Sequence, residues 1–551
     1  MSTRAAPGPA AVESAPTQGA VFSRSASGLI RVAGSWDVFI FNVGLVSVGI
    51  AIAFNQYYGP SLYPGAEPAI STLLAALGMC FAAITFYFWS LIFPRSGGVY
   101  VFLSRTTHSS LAFVFALLET VILLYYAALA ASLLVSVGLA SFFATVGSIG
   151  GSETLTGWAA DVSGERGMFW LGTLVLVVAG LLLATGTRRY FTVQRVVFAV
   201  AILCTGITVL VMLFGSRGSF ESNLTDLTGL NYDSVISTAE SNGFAPVSGI
   251  DWGKSIEFLV WPLLPLLGAV QSIGIGGEIK RVRRSQIVGM LGAVVGTGLL
   301  IALFAVLSNK AFGYTFQGAI GFNSVSGLAD GSTEGSIGAA PYFTTLAGIL
   351  ANNVVLCIVI MAAFVAWFWF WVPAELAYST RTMLAWSFDR LVPSQLGYVS
   401  RRFHTPVVAI AIGTGGAIVF MWLIAFHGIA LLTLVEALLI IWGTAMLVAV
   451  VFPWTGRQFF DASPAKAYRV GGIPLMSLTG AVTVAFFALA FVLLWRDENA
   501  AGPLFDSAQR TALWIIVGTL AAGALWYVGN RLYRRSRGVD IDLAFKQIPI
   551  E

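Results

Sequence analysis

Three carboxylates stand inside long apolar stretches of the chain: Glu119, Glu375 and Glu436. A charge at the centre of a bilayer costs at least about 2.5 kcal/mol, so each should face a protein interior or a wet cavity, or carry a proton. The chemistry open to them is proton exchange, pairing with an amine, or latching of a gate. Glu119 is the candidate for proton coupling or for a gate; the alternative is a protonated carboxyl hydrogen-bonded between helices. Glu436 reads as a proton sensor or an amine contact. Glu375 precedes Arg381 closely and is expected to pair with the arginines there, a part in gating rather than in coupling. The run Trp367-Phe368-Trp369-Phe370-Trp371 covers every face of a helix. Most of it should meet lipid or neighbouring helices, while one or two rings wall a pocket, where a Trp face accepts an ammonium group. Other chemistries find little support. Cys80, Cys204 and Cys357 each sit in an apolar run, where a thiol behaves as a small hydrophobe, and their spacing suits neither a disulfide framework nor a zinc site. With three histidines and no nucleophile motif, neither a metal, a cofactor nor an enzyme is expected.

The elements that position these groups follow from composition. Of 551 residues only 10% are charged and 57% are hydrophobic, and the mean hydropathy is +0.84. Soluble domains carry roughly 25% charge, so lipid must be the solvent for much of the chain. A net charge of +4 is too small a bias to suggest nucleic acid. Runs long enough to span a membrane occur at 36–57, 69–93, 111–146, 168–186, 190–215, 256–277, 287–308, 347–377, 406–426, 428–452, 474–495 and 511–531. They are continuously apolar, without the alternation of a membrane barrel. Twelve spans put both ends on one side. Sorted by loop, 24 of the 30 basic residues fall on that side, which marks it as cytoplasmic. The expectation is a multi-pass protein of the cytoplasmic membrane, all-α, with both termini cytoplasmic. Residues 1–28 read as a disordered tail rather than a cleavable signal.

Two spans carry backbone breakers. The first, over Asn42 to Ile50, contains Gly44 and Gly49; the sixth, over Trp261 to Val270, contains Pro262, Pro265 and Gly268. Irregular backbone at membrane depth is tolerated where it faces protein or a wet cavity, though Gly and Pro also cause mere kinks. Spans 1 and 6 occupy corresponding positions if spans 1–5 and 6–10 are two repeats, the pointer to an inverted-repeat transporter with a midplane site.

Three further stretches carry a family resemblance. Pro94-Arg95-Ser96-Gly97-Gly98-Val99-Tyr100 follows span 2, Glu278-Ile279-Lys280-Arg281-Val282-Arg283-Arg284 follows span 6, and Arg381 to Pro393, closing with Thr405-Pro406, follows span 8. Together and in this order they resemble the motifs of the amino acid–polyamine–organocation (APC) permeases. The resemblance implies the LeuT fold: a first repeat over 29–215, an external loop 216–255, a second repeat over 256–452, two extra helices within 453–533 and a tail at 534–551. It implies a substrate site at the two breaks, on Ser47, Val48, Gly49 and Ile50 and on Leu266, Gly268, Ala269 and Val270. There the amine and carboxylate of an amino acid meet backbone groups left free, since helix N-termini favour anions and carbonyl ends favour cations. The charged Arg381 and Asp389, with Arg390, suggest a cytoplasmic network that latches the inner gate, or simple anchoring of topology by positive charge. The chain departs from the family pattern at four places. Ser47 replaces a glycine, Val270 stands where many members have Glu, Ala201 stands where many have a lysine, and residues 354–372 offer no hydroxyl for the fold's common sodium site. Coupling to H⁺, to Na⁺ or by exchange therefore stays open. The function implied is a secondary transporter of an amino acid or related amine, working by alternating access in membrane lipid. The alternatives are a LeuT-fold carrier of another small solute, or a non-transporting nutrient sensor; oligomeric state is unreadable.

Overall fold

In lipid a backbone finds no partners except its own, so apolar runs of this length fold as helices. The computed structural model describes residues 28–429, 433–500, 502, 503, 505, 509–538, 541 and 545. Apart from Gly28, the expected N-terminal tail lies outside them, as does most of 534–551. Among the described residues twelve helices are long and apolar enough to cross a membrane. In chain order these spans are Ser35–Leu62, Pro68–Ile92, Ser109–Gly150, Glu165–Ala184, Thr187–Phe214, Trp252–Gly274, Val282–Phe312, Val354–Phe388, Val407–His427, Leu434–Thr455, Leu475–Arg496 and Arg510–Ser536. All twelve expected runs are present, and the chain is an all-α polytopic membrane protein.

Span 8 departs most from expectation. Its first turns form a separate helix, Phe343–Ala351, that Asn352 ends in the left-handed conformation (φ 41°). The Asn353 side chain then caps the next helix by accepting from the Leu356 amide at 3.1 Å. At its other end the helix runs through Pro373 to Phe388. Glu375, expected near the end of the span, is therefore well inside it, as is Arg381.

Both expected interruptions are present. Span 1 is two helices, Ser35–Val46 and Val48–Leu62, joined by Ser47 in the left-handed region (φ 48°, ψ 66°). Span 6 is helical over Val260–Leu266 and tightens to a 3₁₀ turn over Leu267–Gly274. Pro262 and Pro265 bring no amide donor to the first of these. Gly268 lets the two breaks touch: a Cβ there would lie 2.4 Å from the Leu45 carbonyl oxygen. On the terminus side of the breaks, the Asn42 amide donates to Ser272 Oγ (3.1 Å) and its carbonyl accepts from the Ser272 amide (2.9 Å). Ser272 Oγ in turn donates to Gln286 of span 7 at 2.7 Å.

The spans pack in two groups. Span 7 lies along spans 1 and 2, and span 6 packs on spans 1 and 2. Spans 3, 8 and 9 pack together, with span 4 on 9 and 3. Span 8 also touches spans 1 and 6, which joins the groups. Burial follows this plan. The apolar windows of spans 1 and 6 are 89% and 78% buried, against 28% for spans 4 and 9 and 22% for span 12, so the broken helices are central and the latter three face lipid. On the side away from the termini, Tyr314–Val325 lies on the second half of span 1, where Tyr57 and Ser324 hydroxyls meet at 2.8 Å.

Candidate functional site

The two breaks open onto a cavity of about 170 Å³. Span 1 contributes Ser47, Ile50, Phe54 and Tyr58; span 6 contributes Trp261, Pro265, Gly268 and Gln271; spans 3 and 8 add Tyr126, Trp371 and Glu375. Val435 and Leu438 of span 10 close the remaining wall. Of the residues expected to bind substrate, Ser47, Ile50 and Gly268 line this cavity. Val48, Leu266, Ala269 and Val270 are buried in the packing around it. Gly49 sets its backbone against Trp367 and Phe364, where a Cβ would meet side-chain carbons at 3.0–3.1 Å. Ser47 turns its hydroxyl away, donating to the Trp367 carbonyl at 3.2 Å.

The wall is aromatic with one carboxylate. Tyr58 and Trp261 rings lie 4.3 Å apart on one side, and Tyr126 and Trp371 lie 6.2 Å apart on another. Trp371 donates its indole N–H to Glu375 Oε1 at 2.8 Å. Among the described residues Glu375 Oε2 has no hydrogen-bond partner of ordinary length, and Gln271 lies beside the carboxylate. The expected pairing of Glu375 with the arginines is therefore corrected. Six residues of helix turn two side chains about 120° apart, so Arg381 leaves on another face. Trp261 also donates to the Tyr63 hydroxyl (2.9 Å), which in turn donates to Asp497 beyond span 11. Burial pushes that Asp497 carboxyl above the usual range, a shift the Tyr63 hydrogen bond opposes.

Within the aromatic run only Trp371 lines the cavity. Trp367, Phe368 and Phe370 are buried among helices, none facing lipid, and Trp367 donates to Thr205 Oγ1 at 2.9 Å. The other two carboxylates stand apart from the cavity. Glu119 Oε1 accepts from Tyr378 (2.9 Å) and from the Trp442 indole (2.8 Å). Glu436 is buried with no hydrogen bond to either oxygen among the described residues.

On the terminus side of the cavity the chain is tied shut. Arg381 Nε donates to Glu278 Oε1 at 2.8 Å, both side chains 1% exposed. Arg105 holds Asp389 by two parallel hydrogen bonds of 2.7 Å, and the Tyr100 hydroxyl adds a third at 2.6 Å. Arg381 and Asp389 are thus buried partners of Glu278 and Arg105 rather than of each other. Around them the backbone of Val32 and Ala33 donates to the Glu278 carbonyl, and Gly97 donates to the Gly274 carbonyl at 2.9 Å. Gly97 (φ 110°) and Gly98 (φ 52°) both hold the left-handed conformation. A Cβ on Gly98 would sit 2.2 Å from the Tyr378 hydroxyl.

Sequence reasoning missed the cavity role of Glu375 and its rings. The signal available was Trp371 and Glu375 four residues apart, a spacing that places both on one helix face. No curated protein matches the chain. The family model described as amino acid permease matches residues 34–522, and with its twelve spans, its two broken helices and the cavity between them, the chain belongs to that family, within the APC superfamily.

Proposed function

We propose that this membrane transporter carries an amino acid or a related amine by alternating access. The observation that supports it best is the cavity at the contact of the two broken helices, closed on the terminus side by buried ion pairs. The second half of span 1 begins at Val48, and the first amides of a helix lack intrahelical partners. Ser47 to Ile50 are the place for a substrate carboxylate or other acceptor, and Gly268 to Val270 form the facing wall. Arg381 and Asp389 act as gate residues, and Glu119, tied through Tyr378 to the same gate, is the candidate for coupling. The excess of basic residues on the terminus side supports a cytoplasmic location for that side.

Purified protein in liposomes, offered labelled amino acids and amines under imposed pH or Na⁺ gradients, tests the reading. Uptake or exchange of at least one of them is the expected outcome, and the gradient that drives it names the coupling ion. Failure of the whole panel under every gradient would end the transport reading.

A further inference from the structure

We infer that the cavity selects an organic cation, an ammonium on an apolar or aromatic body without a carboxylate of its own, and that Glu375 is its counter-ion. The inference rests on the transport reading and narrows its substrate class. Glu375 is 1% exposed and lines the cavity. Among the described residues no Lys, Arg or His lines the same space. Trp371 holds one carboxylate oxygen in place and Gln271 lies beside the carboxylate, while among the described residues the other oxygen has no hydrogen-bond partner of ordinary length. An ionised carboxylate at membrane depth needs a partner, and the protein supplies no cation there.

The surroundings agree. Two pairs of rings, Tyr58 with Trp261 and Tyr126 with Trp371, stand around the cavity. Ring faces attract an ammonium most strongly where water is excluded. A zwitterionic amino acid would bring its own carboxylate into a space that already holds one. A single carboxylate matches one ammonium, so a diamine would leave its second charge unpaired.

Phenethylamine and phenylalanine differ only by a carboxylate, which isolates the point. Binding to the purified full-length chain is followed by tryptophan fluorescence, since Trp261 and Trp371 stand in the wall, and uptake is followed in liposomes. Phenethylamine is expected to bind at least tenfold more tightly than phenylalanine or putrescine, and Glu375→Gln to weaken it at least tenfold. If Glu375→Gln fails to fold, 2-phenylethanol, the uncharged isostere, serves on the unaltered protein and should bind at least tenfold more weakly than the amine. Phenylalanine or putrescine binding as well as phenethylamine, or an isostere or Gln variant that matches it, would overturn the inference while uptake of any of them left the transport reading standing. Binding and uptake of none of the probes, with the wider panel also excluded, would overturn both.

Discussion

At the scale of single residues, Ser47 and Glu119 allow the sharpest arguments. Ser47 holds φ 48°, a conformation that costs a residue with a Cβ roughly 1–2 kcal/mol. Its hydroxyl recovers part of this by donating to the Trp367 carbonyl, a bond worth about 1 kcal/mol. Ser47→Gly loses the bond and relieves the backbone, so its stability should stay within about 1 kcal/mol of the starting protein. Ser47→Ala loses the bond and keeps the strain, and should be destabilised by about 1 kcal/mol. Thermal melts in detergent would rank the pair; an alanine variant more stable than the glycine one would refute this account of the break. Glu119 presents one oxygen to two donors, Tyr378 and Trp442, and has no partner for the other. Glutamine retains an acceptor for those donors but cannot take up or release the proton. If Glu119 carries coupling, Glu119→Gln should abolish accumulation driven by a pH gradient while leaving exchange of substrate across liposomes within a few-fold. Unchanged pH-driven uptake would remove Glu119 from the coupling path.

At the scale of the element, span 8 joins the cavity to the buried ion pairs of the terminus side. Glu375, Tyr378, Thr382, Ala385 and Asp389 follow one another at three- and four-residue steps, which keeps them near one face of the helix. Glu375 meets the cavity. Tyr378 meets Glu119, and Gly98 is so close to it that a Cβ would overlap the hydroxyl. Asp389 meets Arg105. Gly98→Ala should therefore displace Tyr378, costing about 1–3 kcal/mol as other overpacked sites do, and lower uptake more than tenfold. The ring carbons of Tyr378 would also lie 2.6–2.7 Å from that Cβ, so in a Tyr378→Ala background, where the ring is gone, Gly98→Ala should cost less stability than in the parent; an equal cost would show that backbone strain at φ 52°, not the clash, sets it. The apolar runs and the breakers of spans 1 and 6 were legible in the sequence because both are local: hydropathy and the missing proline donor act where they are written. The far end of span 8 was not. Its hydropathy falls at Glu375 and Arg381, yet the helix continues to Phe388 because both side chains are buried and partnered within the fold. Nor could the gate pairs be read, since Glu278 and Arg381 are 103 residues apart and Arg105 and Asp389 are 284 apart. Opposite charges on stretches of the terminus side suggest a network without saying which meets which.

At the scale of the whole molecule, buried ion pairs join the two packed groups of spans on the terminus side. One of them, Arg381 with Glu278, joins span 8 of one group to the end of span 6 of the other. Opening that side must separate them. While dry, the pair holds by charge and hydrogen bonding; once apart, water solvates each ion, so the contact has two favourable arrangements. Removing one partner leaves a charge buried alone, at about 3–5 kcal/mol, whereas replacing both by apolar residues is often neutral or stabilising. Arg381→Met should thus favour the state in which Glu278 is wet, opening the terminus side. The double variant Arg381→Met, Glu278→Leu should close it again and hold it closed. A cysteine at the buried position Thr382, in a background without Cys80, Cys204 and Cys357, reports on this through its rate of labelling from the terminus side. The single variant should label at least tenfold faster than the parent, and the double no faster than it, with transport slowed because opening now exposes apolar surface. Equal labelling in all three proteins would mean that the pair does not hold this side closed and that closure rests on the other buried contacts there, Arg105 with Asp389 among them.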